Sequence, residues 1–418
     1  MELEKYRYDI EMCVRSSSCK WVDPMYSKSK RFNKICPINT KFKFDSFSCQ
    51  GIMDIALAYL DGEIGIDEDL YKILYHCTLC GACDIMCKRC MDTERLEIIE
   101  AFRCRYIEKG GKVSKKQKNI LSNVESKGNP YGASQNERTK WFDKGSEKTG
   151  EAEILYFAGC TASYRYPSIA KSSVKIFEAA GVNFKLFPSE QCCGNPLLRL
   201  GYKSQADTIR KNNIDSLAKS GCKVIVTSCA ECYHMWKVDY PRIEEKSGTD
   251  YEVLHITEYA DKLIKEGRLT IKGSINKTVT YHDSCRLGRL SEPYTHWDGK
   301  RIEFGRTDPP KQQWRRGTKG VYEQPRSVLK SISGVNLVEM ERIRENAWCC
   351  GAGGAVKWIN NDFSIWSAGE RIEEVKQTGA NTLVASCPFC RWNFTETVKA
   401  GSNNIEILDF AELLASVI

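Results

Sequence analysis

The chain of 418 residues has little that would direct it into a membrane or out of the cell. No stretch approaches the ~20 consecutive apolar residues that a membrane span requires. The opening segment, MELEKYRYDIEM, is charged and has no apolar signal core. A strand–turn–helix phosphate fingerprint is also missing, so the glycine run Cys349-Cys-Gly-Ala-Gly-Gly354 is a poor nucleotide site. Nor is there a basic face with interleaved aromatics of the kind nucleic acids select. These absences point to the reducing cytoplasm, with no direct membrane span and no nucleic-acid partner.

Charge is uneven. The formal net charge is +8, and residues 109–148 alone carry ten Lys/Arg against four Asp/Glu. That stretch, with its Asn129-Pro130-Tyr131-Gly132 turn, reads as a basic linker over 109–150, or as a loop draped over a neighbour.

What the chain has in abundance is cysteine, 21 residues of it. Cys160, then 31 residues, Cys192-Cys193-Gly194, then 34 residues, and Cys229-x-x-Cys232 form one grammar. It returns as Cys285, 63 residues, Cys349-Cys350-Gly351, 35 residues, and Cys387-x-x-Cys390. Without an export signal, tight Cys-x-x-Cys spacing reads as metal binding rather than disulfides. Five thiolates that include an adjacent pair exceed the four ligands of a tetrahedral zinc. They suit a polynuclear iron–sulfur cluster, whose sulfurs can ligate different irons. The duplication implies two clusters in two related lobes, and electron transfer as their work. A zinc scaffold is the non-redox alternative.

Residues 1–108 hold the densest cysteines. Cys77-x-x-Cys80-x-x-Cys83-x-x-x-Cys87 has the spacing of a cubane [4Fe–4S] site whose fourth cysteine crosses to a second cluster. Cys36, followed by Pro37, is the expected reciprocal donor, which leaves Cys13, Cys19 and Cys87 for the second site. Position 16, where a ferredoxin run has cysteine, is Ser16. The missing ligand is Cys49, Cys90 or the Ser16 hydroxyl, or the site holds three irons or none. One or two cubanes are therefore expected here. Cys104 and Cys222 fall outside every spacing and read as packing residues.

From residue 151, short β-branched runs alternate with helices. Strands are expected at 153–157, 182–187, 223–227, 278–281, 335–339 and 382–385, and helices at about 165–180 and 203–219. Most end just before a cysteine group, the sheet edge where open α/β folds place their ligands. The expected fold class is α+β multi-domain: a helical ferredoxin-like region (1–108), then two pseudo-symmetric α/β lobes with parallel sheets (151–275 and 276–418). Gly194 and Gly351, lacking Cβ, are expected to bring backbone N–H groups to sulfur. His282 and Arg286, with Asp283 and Arg289, surround a cluster ligand, where they neutralise its charge, deliver protons or bind an anionic substrate. His234 reads as a helix-face residue. An insertion at about 290–319, with Pro293 to Trp297, Phe304, Trp314 and Arg315-Arg316, is either a docking element or a self-packed loop.

These motifs resemble the catalytic iron–sulfur subunit of heterodisulfide reductases, the D-type family with two CCG domains. The resemblance covers nearly the whole chain and is most specific in the double five-cysteine grammar, His282-Asp283, Gly320-Val-Tyr-Glu-Gln-Pro-Arg326 and Glu339-Met-Glu341. It implies two noncubane [4Fe–4S] clusters, one per lobe, and a partner that is a flavin-containing A-type subunit, a ferredoxin, or another member of a large redox complex. The insertion looks more like relatives in class II benzoyl-CoA reductase complexes, which relay electrons. Arg286 stands where the disulfide-cleaving enzymes usually carry histidine, and a permanently charged guanidinium cannot donate a proton at neutral pH. The resemblance therefore implies electron relay, with cleavage of a disulfide of the CoM-S-S-CoB type as the alternative.

Overall fold

The computed structural model describes residues 2–143, 150–302, 306–311, 314–402 and 404–418. The first lobe is built on β1 (Ile154–Phe157), β2 (Phe184–Leu186), β3 (Val224–Thr227) and β4 (Glu252–His255), all parallel, in the order β2-β1-β3-β4. The second begins with β5 (Ser274–His282). Within its insertion lies a short antiparallel pair, β6 (Lys300–Arg301) and β7 (Thr307–Asp308). β8 (Ser333–Val338), β9 (Thr382–Ala385) and β10 (Glu406–Asp409) complete a parallel sheet ordered β10-β9-β5-β8. In the repeat, β1 matches β5, β2 matches β8, β3 matches β9 and β4 matches β10.

β1 and β9 are buried along their whole length, as central strands covered on both faces by helices must be. The two sheets share one core, in which Tyr156 and Val226 meet Val279, Tyr281 and Val384. The repeat extends into its polar details. Tyr156 Oη and Ser228 Oγ lie 2.8 Å apart, and at the equivalent place Tyr281 Oη donates to Ser386 Oγ at 3.0 Å. His255 and Asp409, at the ends of β4 and β10, each cap the following helix in a capping box with Glu258 and Glu412.

The N-terminal region is helical, with helices over Pro37–Phe42, Cys49–Leu60, Glu68–His76, Ala82–Cys87 and Arg95–Glu108. Asp67 starts the third by accepting from Leu70 N–H. Part of the basic stretch is also helical. Lys115–Lys127 forms a helix capped by Ser114 and stopped by Gly128 in the left-handed conformation, with Gln117, Ile120 and Val124 buried along one face. Its lysines mask that apolar stripe in sequence.

Arg103 joins the regions. Its buried guanidinium donates to the carbonyls of Leu74, Cys77, Arg199 and Gly354 at 2.6–3.2 Å, so the N-terminal region and both lobes share one residue. The glycine run 351–354 serves the same packing. A Cβ on Gly353 would lie 2.8 Å from the Thr78 carbonyl oxygen, and one on Gly354 would lie 2.8 Å from that of Cys77. Close approach of two backbones explains these glycines.

The insertion packs on the chain itself. Arg301 pairs with Asp9 at 2.7 Å, Lys311 with Asp92 at 3.1 Å, and Arg315 with Glu97 at 2.6 Å. It thereby straps the second lobe to the acidic face of the N-terminal region. Of its aromatics, Trp314 is 37% exposed, and Phe304 lies outside the described residues.

Candidate metal centre

Four groups of thiols form, and each draws on elements distant in sequence. In the N-terminal region, Cys13, Cys19, Cys49 and Cys87 line one small cavity together with Ser16 and Arg95. Cys36, Cys77, Cys80 and Cys83 line a second, deeper one, and Cys49 borders both. The Cys49 thiol hydrogen-bonds with Cys19 on one side and Cys83 on the other. Cys90 is exposed and stands outside the two cavities. Arg95 donates Nε–H to Cys87 Sγ at 3.3 Å and supplies a cation to the outer group.

In the lobes, five cysteines converge at each sheet edge. Cys160 follows β1, Cys192 and Cys193 follow β2, and Cys229 and Cys232 follow β3. Neighbouring thiols make contact in the order Cys160, Cys192, Cys193, Cys232, Cys229. The second lobe brings together Cys285, Cys349, Cys350, Cys390 and Cys387 in the same way, with the Cys390 and Cys350 sulfurs 3.1 Å apart. The groups also touch one another. Cys80 of the N-terminal region reaches Cys349, and Cys387 reaches Cys229 across the lobe boundary.

Gly194 and Gly351 both have positive φ, +85° and +83°, and both donate N–H toward the first sulfur of the pair, at 3.4 and 3.3 Å. The position a Gly351 Cβ would occupy is taken by the Ser364 carbonyl oxygen, 2.5 Å away, so the side-chain-free space faces protein.

The lobes differ in what surrounds the thiols. His282, the last residue of β5, is buried and hydrogen-bonds with Cys350, and one of its ring nitrogens lies within 4.8 Å of both the Cys350 and Cys390 sulfurs. Burial lowers its pKa and favours the neutral imidazole, while the Cys350 contact opposes that shift. In the first lobe the matching residue is Phe157, packed on Phe187 and Trp236. Asp283 is held by Arg326 through two hydrogen bonds of 2.7 and 2.9 Å, and Arg326 also donates to Glu339 at 2.6 Å. The Gly320–Arg326 and Glu339–Glu341 motifs therefore meet behind the turn that carries His282 and Cys285.

The first lobe has a partner that spacing does not reveal. Arg138, from the basic stretch, is buried against Glu190 at 2.6 Å and donates to Cys160 Sγ at 3.4 Å. The Gly128 carbonyl accepts from Cys192 N–H at 2.7 Å. The stretch read as a linker thus closes one side of a cysteine site. A hint lies in the sequence, since Arg138 sits in a long basic stretch and follows an Asn-Pro-Tyr-Gly turn.

Arg286 does not point at the sulfurs of its own lobe. It donates to the Leu79 carbonyl at 3.1 Å and lies 3.7 Å from Glu231 and 3.6 Å from Glu100, residues of the first lobe and the N-terminal region. Glu100 is fully buried. Although burial opposes it, Arg199, Arg242 and Arg286 hold its carboxyl down at about 2. Arg199 also pairs with Asp239, which accepts from His234 at 2.8 Å. His234 is thus a buried member of this charge cluster. Burial pushes Glu231 up to about 7, with Arg286 opposing. A buried charge is costly unless paired, and here the pairing comes from three regions of the chain.

The donor set fits iron–sulfur clusters: each lobe offers five converging thiols with cationic or N–H donors beside them, and the N-terminal region offers two groups of four. Thiolates of this kind suit polynuclear iron. Among the described residues, no helix is long and apolar enough to cross a membrane.

A family model described as CCG, cysteine-rich domain, matches residues 154–237 and 311–395. The D-type subunit of the dihydromethanophenazine:CoB–CoM heterodisulfide reductase of Methanosarcina barkeri is 30% identical over 417 residues, covering 98% of this chain and 94% of its own. The EtfAB:quinone oxidoreductase of Syntrophomonas wolfei is 28% identical over 448 residues, which cover 97% of this chain and 58% of that one. The B-type subunit of the CoM/CoB fumarate reductase of Methanothermobacter marburgensis is 26% identical over 84% of this chain and 62% of its own. With that extent of likeness across both lobes and the N-terminal region, the chain belongs to the family of D-type heterodisulfide reductase subunits.

Proposed function

We propose that this chain is an iron–sulfur electron-transfer subunit of a multi-subunit, heterodisulfide-reductase-like oxidoreductase. In this reading Cys36, Cys77, Cys80 and Cys83 hold one [4Fe–4S] cubane, and Cys13, Cys19, Cys87 and Cys49 hold another. The five cysteines of each lobe hold a noncubane [4Fe–4S] cluster. Such clusters supply one-electron transfer. The observation that carries the reading is the continuity of the thiols: Cys49 bridges the two N-terminal groups, Cys80 reaches Cys349, and Cys387 reaches Cys229. Arg103 and the strap of Arg301, Lys311 and Arg315 keep those groups in register. Arg95, Arg138 and His282 place donors on Cys87, Cys160 and Cys350.

The partner that exchanges electrons with residues 1–108 is a flavin-containing subunit or a ferredoxin, and the complex serves low-potential reduction of an aromatic acyl-CoA such as benzoyl-CoA. Relay is favoured because Arg286 is committed to Glu100, Glu231 and the Leu79 carbonyl. The second reading, reduction of a CoM-S-S-CoB-type disulfide, is supported by the facing of Cys229 and Cys387 from opposite lobes. Anaerobic iron and acid-labile sulfide analysis with low-temperature EPR tests the first, and a chain that binds only zinc defeats it. Brisk turnover of that disulfide by viologen-reduced protein decides for the second.

A further inference from the structure

Segment 20–35 leaves the N-terminal region between two cysteine groups, with Cys19 of the outer group before it and Cys36 of the inner group after it. Val22 N–H donates to the Asn33 carbonyl at 2.8 Å and Ile35 N–H to the Lys20 carbonyl at 3.0 Å, closing its base. The loop beyond, 23–32, carries Met25, 90% exposed, and Tyr26, 51% exposed. Val14, 70% exposed, lines the cavity of Cys13, Cys19, Cys49 and Cys87. Residues 13–34 hold six Lys/Arg and one Asp. Some of these cations are engaged, Arg15 with Asp54 and Arg31 with Glu370, whereas Lys28 and Lys30 are exposed beside Met25 and Tyr26.

Large apolar side chains standing in solvent within a basic rim mark a protein docking surface. A flexible thioether such as Met25 adapts to a moving partner. The position selects the partner: tunnelling weakens steeply with separation, so a carrier must seat where this chain's thiols come nearest the surface. Cys13 and Cys87 of the outer group and Cys77 and Cys83 of the inner group are half-buried, whereas the ten lobe thiols are buried, so the N-terminal region is where thiols come nearest the surface. Fast, weak encounters of redox proteins use small, charge-matched contacts.

We propose that loop 23–32, whose base residues Val22 and Ile35 pack with Cys80, is the docking surface for an acidic one-electron carrier protein. In each encounter one electron passes between the carrier and the N-terminal thiol groups to which the flanking Cys19 and Cys36 belong, the donor being oxidised as the acceptor is reduced. The inference rests on the electron-transfer reading above and adds where the partner binds and with what chemistry.

The test uses the full-length, cluster-loaded chain and stopped-flow reduction by a reduced acidic ferredoxin as probe, with methyl viologen radical as a charge-reversed control. Lys28→Glu with Lys30→Glu, and separately Met25→Asp, should slow ferredoxin-driven reduction by about tenfold or more and flatten its dependence on salt, with viologen reduction unchanged. Equal ferredoxin rates in the variants overturn the assignment. So does loss of binding to anionic phosphatidylglycerol vesicles alone, which gives the loop to a membrane, or a variant-dependent shift from dimer to monomer, which gives it to a second copy. Parent protein that viologen itself cannot reduce brings down the electron-transfer reading and this surface with it, a result distinct from the other three.

Discussion

Replacing His282 by Phe probes whether the two lobes are electronically alike. The substitution copies the first lobe's Phe157 and keeps an aromatic ring against Phe394, whose centroid is 4.9 Å from that of the imidazole. It removes the donor to Cys350 and also removes Nδ1, a buried nitrogen without a hydrogen-bond partner. A hydrogen bond to a charged group contributes about 1.5–3 kcal/mol net. If all of it favours the reduced, more negative state, the one-electron midpoint falls by about 65–130 mV, since about 1.4 kcal/mol corresponds to 59 mV. The donor also stabilises the oxidised state in part, so that figure is a ceiling on a downward shift. EPR-monitored potentiometry of the full chain should show one signal moving down and the others fixed. A midpoint unchanged in the variant, with iron content intact, refutes the reasoning; so does an upward shift.

Other expectations follow from the same contacts. Cys49→Ala should lower iron and sulfide by about one cluster's worth and remove one EPR signal, while Cys90→Ala leaves both intact. Glu100→Gln leaves Arg199, Arg242 and Arg286 without their shared carboxylate. Breaking a buried pair costs about 3–5 kcal/mol, so the urea midpoint should fall, and a midpoint within error of the parent's contradicts the charge-cluster account. Arg301→Ala combined with Arg315→Ala should make residues 290–319 an early trypsin site while leaving the sheets resistant, as local opening precedes global unfolding. Arg138→Gln should alter the spectroscopic signature of the first lobe alone, and an effect confined to the second lobe would count against the contact with Cys160.

Much of this is legible because cysteine spacing and strand periodicity are local signals. β1, β3 and β9 end just before Cys160, Cys229 and Cys387, and β-branched runs ending at a thiol are visible without coordinates. The helix 115–127 is hidden because its lysines outnumber the buried positions, although Ser114 and Gly128 punctuate it. Contacts between regions leave little trace: nothing near Cys80 indicates Cys349, and the basic stretch and turn around Arg138 mark it without naming Cys160 as its partner. In sequence Cys49 is one of three alternatives for the outer group, and only the placement of helix 49–60, which starts at that cavity, singles it out. The glycines at 353 and 354 have an evident oddity but a hidden cause, the carbonyls of Cys77 and Thr78. For the insertion, composition allows two fates, and the ion pairs to Asp9, Asp92 and Glu97 decide for the inward one.

Gly353 and Gly354 nest so tightly against the carbonyls of residues 77 and 78 that the helical module cannot swing away without unpacking. Redox proteins that ferry charge on a mobile arm spend time in transit and can be throttled by hinge stiffness or solvent viscosity. In the proposed relay the path inside the chain is fixed by this packing, like soldered wiring, so any throttle lies in the meeting with another molecule. Viscosity should therefore slow exchange between proteins and leave transit within this one untouched.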